Sequence, residues 1–97
     1  KILRELAWIK ATSKDSQLRN GSEALQLAKR AVELSPSEAD FHQVLAAAYA
    51  ENRRFDSAIS SAHRALELAD ASNQQSLSGL IRQCLSAYEN KQPIRVD

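Results

Sequence analysis

Residues Ala24–Leu34 read ALQLAKRAVEL, and residues Ala58–Leu68 read AISSAHRALEL, which repeats the first stretch at an offset of 34 residues with six of eleven positions identical. Three of the shared positions are alanines: Ala24, Ala28 and Ala31 recur as Ala58, Ala62 and Ala65. Steps of three and four residues place them on one face of an α-helix. Small side chains along such a face let a neighbouring helix approach closely, and larger ones between them fill the remaining space. Two amphipathic helices built to one plan are therefore expected, each needing neighbours to cover its apolar face.

Three further helices follow from the surrounding sequence. Lys1 to about Ser13 carries Ile2, Leu3, Leu6, Ala7, Trp8, Ile9 and Ala11, apolar over most of its circumference, so it expects neighbours on more than one side. Thr12 to Ser16 is polar and turn-prone, with Leu18 as its anchor. Asn20, with Glu23 three residues on, forms a capping-box pattern for the helix that holds the first repeat, and Ser35-Pro36-Ser37 ends that helix. Ser37 is a suitable cap for a helix from about Glu38 to Asn52 with Phe41, Val44, Leu45, Ala48 and Tyr49 inside. Asp56 can cap the helix of the second repeat, and Leu77, Leu80, Ile81, Cys84, Leu85 and Tyr88 mark a fifth helix from about Gln74 to Glu89.

Composition agrees with an all-α reading. Two glycines and two prolines among 97 residues, with abundant alanine and leucine, favour helix over sheet. A net charge of +1 creates no strong field toward nucleic acid or anionic lipid, and no apolar run approaches the ~18 residues of a membrane span. The single cysteine, Cys84, excludes an intrachain disulfide and a thiolate zinc cluster. It is expected to pack as a small inert hydrophobe. His42 and His63 fall on different helices without carboxylates at ligand spacing, so no metal is expected. Gly21 and Gly79 stand alone, which makes no phosphate loop, and no serine–histidine–acid set is indicated. No cofactor and no catalysis are expected of this chain.

A 34-residue period of two helices is the tetratricopeptide (TPR) period, and the residues resemble that family. Residues 39–72 look like a complete repeat: Leu45, Ala46 and Tyr49 match the large, small and aromatic positions of a first helix, Phe55 the turn aromatic, and Ala58 and Ala65 the small residues of a second helix. His42 stands where tryptophan is usual and Asp70 where proline is usual. Residues 5–38 resemble a modified repeat with Trp8 on the tryptophan position, and residues 74–90 resemble a closing first helix displaced by one inserted residue. The resemblance implies an all-α fold, an α-solenoid of about five helices: two TPR-type helix pairs plus a C-terminal capping helix, in one domain of residues 1–90 with an irregular tail at 91–97. The start at Lys1 and the absence of methionine fit a processed chain or, in preference, a piece of a longer one, and the whole resembles the C-terminal TPR segment of a larger bacterial multi-repeat protein.

Function follows from the resemblance as an expectation: a non-catalytic module that binds a protein or peptide in a concave groove lined by the first helices. Carried onto this chain, the groove residues are Lys10, Ser13, Asp40, Gln43, Ala47, Glu51, Ser78 and Arg82. Family members that clamp a terminal carboxylate need polar groups where Ile9, Val44 and Gly79 stand, so that specificity is not expected. Trp8 is expected in packing. A different class is a structural end-cap or self-association module, since Ile2, Leu6 and Ile9 leave the first helix an apolar side that could form a homodimer. A third is the regulatory end of a larger enzyme.

Overall fold

The computed structural model describes residues 2–17 and 19–95. The chain forms five helices: α1 (Ile2–Thr12), α2 (Gly21–Leu34), α3 (Ala39–Glu51), α4 (Phe55–Ala71) and α5 (Gln75–Glu89). No sheet occurs among the described residues. Each helix packs on the next, α1 also packs on α3, and α3 meets α5 narrowly. The radius of gyration is 11.8 Å, slightly below the roughly 12.5 Å expected of a compact domain of this length, so the five helices close into one body.

The core is built largely of alanine. Ala24, Ala28, Ala58, Ala62 and Ala65 of the repeated stretches are at most 1% exposed and Ala31 is 2% exposed, as the small-residue face requires. They divide between two clusters that share α3. Ala39, Ala46 and Ala50 face α4 and α5, where Ala58, Ala62, Ala65, Ala69, Ile81, Cys84, Leu85 and Tyr88 complete one core. Val44, Ala47 and Ala48 face Ala7, Ala11, Ala24 and Ala28 of α1 and α2. α3 is thus covered on both sides. Small side chains allow this, because each lets a partner backbone come near without opening a void.

Local signals set the ends of the helices, with some departures from expectation. The Asn20 side chain accepts the Glu23 N–H at 3.0 Å, but Glu23 does not reach back. Its carboxylate lies 2.9 Å from Lys10 Nζ, and the Asn20 N–H donates instead to the Lys10 carbonyl at 2.7 Å. The capping box is therefore half-formed, its other half spent on tying α2 to α1. α3 starts at Ala39, with Glu38 rather than Ser37 at the cap position and no side-chain cap bond. His42 Nε2 lies 2.6 Å from the Pro36 carbonyl; a carbonyl only accepts, so this ring nitrogen carries the proton. α4 starts at Phe55, with Arg54 rather than Asp56 at the cap. Asp56 sits in the first turn, where its charge favours the positive helix end. Leu18 and the side chains of Ile2 and Leu3 lie outside the described residues.

Three helices end in the same way. Arg53, Asn73 and Lys91 have φ of 63°, 59° and 56°. The next N–H bonds back in each case: Arg54 to Tyr49, Gln74 to Ala69 and Gln92 to Ala87, at 2.9, 2.8 and 2.9 Å. This is the Schellman reversal, with non-glycine residues in the left-handed position. It turns α3 into α4 and α4 into α5. At the end of α5 it sends the following residues back over the body.

Ala62 is 1% exposed between close helices. Ala62→Leu is expected to destabilise the fold by about 1–3 kcal/mol through overpacking. Leu34→Ser, at a site 65% exposed, should stay within about 0.5 kcal/mol of the parent. Urea unfolding followed by circular dichroism checks both.

Candidate binding face

The expected groove residues are placed as follows. Lys10 is held by Glu23. Ser13 belongs to the compact loop after α1: its Oγ accepts the Asp15 N–H at 3.1 Å, and its carbonyl accepts from Arg19 Nη1 at 2.9 Å. Asp40 Oδ1 accepts from Arg4 Nη2 at 3.2 Å, and the Arg4 guanidinium also lies 5.7 Å from the centre of the Trp8 ring. Gln43 and Ala47 are 4% and 1% exposed, so the chain itself covers the middle of the α3 face. Ser78, 2% exposed, donates to Asp70 Oδ1 at 2.6 Å, and Arg82 Nη2 lies 3.6 Å from Asp70 Oδ2. Both therefore turn toward the end of α4 rather than toward α3. Asp70 ties α4 to α5 through them.

Glu51 is the one groove residue around which several elements converge. Its side chain is 16% exposed and meets Arg19 Nε at 3.6 Å and Arg95 Nη1 at 2.7 Å. The Arg95 contact is close but off the hydrogen-bond direction, and Glu51 Oε1 is buried with no aligned donor. Asn52 beside it donates to the Gly21 and Ala48 carbonyls, both at 2.8 Å. Gly21 favours this approach: a Cβ there would lie 3.0 Å from Glu51 Cγ and 3.2 Å from the Asn52 amide, so these side chains would have to shift by a few tenths of an ångström. The start of α2, the loop after α1 and the segment after α5 thus all meet at the end of α3.

Between α1, α3 and α5 lies a mostly apolar cavity of about 210 Å³ lined by Trp8, Gln43, Leu80, Gln83, Cys84 and Ile94. Trp8, expected in packing, is half-buried and contributes to this wall. Leu80 is 54% exposed at its rim. Ile94 enters from the segment expected to be irregular, and it packs on the core of α3, α4 and α5. A wider, more open depression of about 530 Å³ lies at the α3–α4 turn among Arg53, Arg54, Phe55, Asp56, Ser57 and Lys91.

Cys84 and Tyr88 lie one turn apart on the inner side of α5. Burial pushes the Cys84 thiol above its ordinary value of 9.0, against a smaller opposing effect of contacts with Gln43 and Tyr88. Burial, then the neighbouring Cys84, pushes the Tyr88 phenol well above its ordinary value of 10.0. The Tyr88 hydroxyl is fully buried and makes no geometrically sound hydrogen bond; the sulfur beside it is a weak acceptor at best. These protonated, desolvated groups are chemically quiet, in keeping with a packing role.

No protein-family model, no curated protein and no solved structure matches the chain. What the face offers chemically therefore follows from its own side chains: an indole, two aliphatic groups, two amides and a buried thiol around the cavity, and the partly buried Glu51 carboxylate at the end of α3. Among the described residues no group of histidine, cysteine and carboxylates could hold a metal ion, and no helix is long and apolar enough to cross a membrane. The sequence reading missed Trp8, Leu80, Gln83, Ile94 and Arg95 as parts of this face. Its placement of Ser78 and Arg82 beside α3 rested on the resemblance alone; Asp70 holds both toward α4.

Two outcomes follow. Tyr88→Phe removes an unsatisfied buried hydroxyl and is expected to raise unfolding stability by about 1 kcal/mol, read as a higher urea midpoint at pH 7. Cys84 and Tyr88 also set an alkaline limit. Each keeps its proton in the folded chain at a pH where the unfolded chain releases it. Their contribution to stability is therefore complete below pH 9.0, the ordinary thiol value, and is lost as pH rises through that value and then past 10.0, the ordinary phenol value. The urea midpoint should hold from pH 7 to 8 and fall above 9, with a shallower fall in the double variant Cys84→Ala, Tyr88→Phe.

Proposed function

We propose that this chain is a non-catalytic protein–protein interaction module of TPR type, an α-solenoid scaffold of two helix pairs and a closing helix. On this reading it takes a peptide or helix on the face shared by α1, α3 and α5. One observation carries the reading: α1 packs on α3 as well as on α2, and α3 reaches α5, so the odd-numbered helices lie in one layer. Between them they hold a cavity walled by Trp8 and Leu80, with the partly buried carboxylate of Glu51 in the same helix layer. An apolar slot with one charge is the chemistry by which helical repeats fix a peptide side chain and its register. The 34-residue repeat of α2 and α4 supplies the backing layer.

A second reading is favoured by a separate observation. Leu6 and Ile9 are 42% and 46% exposed on α1, one turn apart on a side no helix covers. This stripe suits stacking on a further helix of a longer superhelix, or a homodimer. Light scattering across a concentration series separates the readings. Self-association through α1 requires a mass that rises with concentration and stays monomeric in Leu6→Lys, Ile9→Lys; a monomer throughout removes it.

The principal reading is tested by selecting binders from a displayed random-peptide library and mapping one by amide chemical shifts. Shifts concentrated at Trp8, Gln43, Leu80 and Gln83 are expected. Shifts confined to the outer surfaces of α2 and α4, or no binder at all, would contradict it.

A further inference from the structure

We infer that the segment after α5 is an internal ligand of this face, and that the partner it imitates is an extended peptide carrying an aliphatic residue followed directly by arginine. The inference rests on the peptide-binding reading and names the chemistry of its ligand. The Schellman reversal at Lys91 directs Gln92–Arg95 back across the body. Ile94 then closes one wall of the cavity against Trp8, Gln43, Leu80 and Cys84, and Arg95 reaches Glu51 on the end of α3. An apolar side chain in a slot and the next residue's cation on a partly buried carboxylate form a two-point anchor.

The fit is incomplete in both places. About 210 Å³ remains open beside Ile94, and Glu51 Oε1 has no aligned donor although Arg95 stands 2.7 Å away. A free segment is not restrained by the turn at Lys91. It can seat its side chain more deeply and align its guanidinium on both carboxylate oxygens, the geometry that arginine favours. Charge supports the same occupant: Glu51 is a partly buried anion shared between two guanidinium groups, so a ligand that replaces Arg95 must return a cation. An acidic or neutral residue there would leave Arg19 alone with Glu51 and lose the second contact.

The tether makes the internal segment an effective competitor. A short linker holds it at an effective concentration on the order of 1 mM. A face that takes the free segment at about 100 μM is then closed roughly ten to one, which weakens any external peptide by about that factor.

The test uses the full chain and a fluorescein-labelled, acetylated and amidated peptide with the sequence of residues 90–95, NKQPIR. Binding is read by anisotropy and by the emission of Trp8, the chain's single tryptophan. The double variant Ile94→Ser, Arg95→Glu, whose helicity is checked by circular dichroism, should bind the peptide about tenfold more tightly than the parent chain. Adding Glu51→Gln to that variant should remove most of this gain, and a peptide ending in glutamate should not bind. Equal binding to parent and variant, no binding to either, or equal binding of the arginine and glutamate peptides overturns the inference. If library peptides of other chemistry still shift Trp8 emission in the double variant, only the ligand assignment falls. If no peptide of any chemistry does so, the binding-face reading falls with it.

Discussion

The burial of α3 on two sides is the constraint from which the rest of this structure follows. Ala39, Ala46 and Ala50 contact one core, and Val44, Ala47 and Ala48 the other. A helix so placed cannot present large side chains to both neighbours and still be closely packed. Alanine at these positions sets how near the neighbouring helices come. The larger groups, Ile81, Leu85 and Tyr88 of α5 and Trp8 of α1, come from the helices that flank α3. Because α3 fixes both cores, it also fixes where its own end lies. There Glu51 and Asn52 gather the start of α2, the loop after α1 and the segment after α5.

That convergence links packing to the proposed function. A face between α1, α3 and α5 exists because α1 and α5 both pack on α3. Its chemistry is set by the indole of Trp8, the amide of Gln43, and a carboxylate that the fold supports with two arginines. The chain's own Ile94 and Arg95 occupy part of that space. The proposed binding face and the segment that covers part of it are thus built from one arrangement, in which the same reversal that joins successive helices recurs after the last one.

Much of this was legible in the sequence. Five helices, the alanine stripes of α2 and α4 and the buried Cys84 follow from periodicity, because side-chain size at three- and four-residue spacing is a local property. The α5 face was less legible. Ser78 and Arg82 were expected beside α3, but Asp70 draws both toward α4, and pairing between helices cannot be read from either helix alone. Gln43 and Ala47 were expected on an open groove but are buried, Ala47 in the core with α1 and α2 and Gln43 in the cavity wall with Trp8, Cys84 and Ile94. The caps at Ser37 and Asp56 failed for a similar reason. His42 and the turn at Arg53 settle those helix starts through contacts that no capping pattern encodes. The role of residues 91–95 carried almost no local signal, since one isoleucine and one arginine acquire meaning only when the chain reverses toward Glu51.

The measurement that bears most directly on the central place of α3 is native-state hydrogen exchange, followed residue by residue in low denaturant. Amides of Ala46, Ala47, Ala48 and Ala50 are expected to exchange only through global unfolding, with a free energy equal to that from urea melts. Those of α1 and α5, each covered mainly on one side, are expected to open at lower free energy. Exchange of the α3 amides through a local opening, at a free energy below that of α1 or α5, would contradict the account.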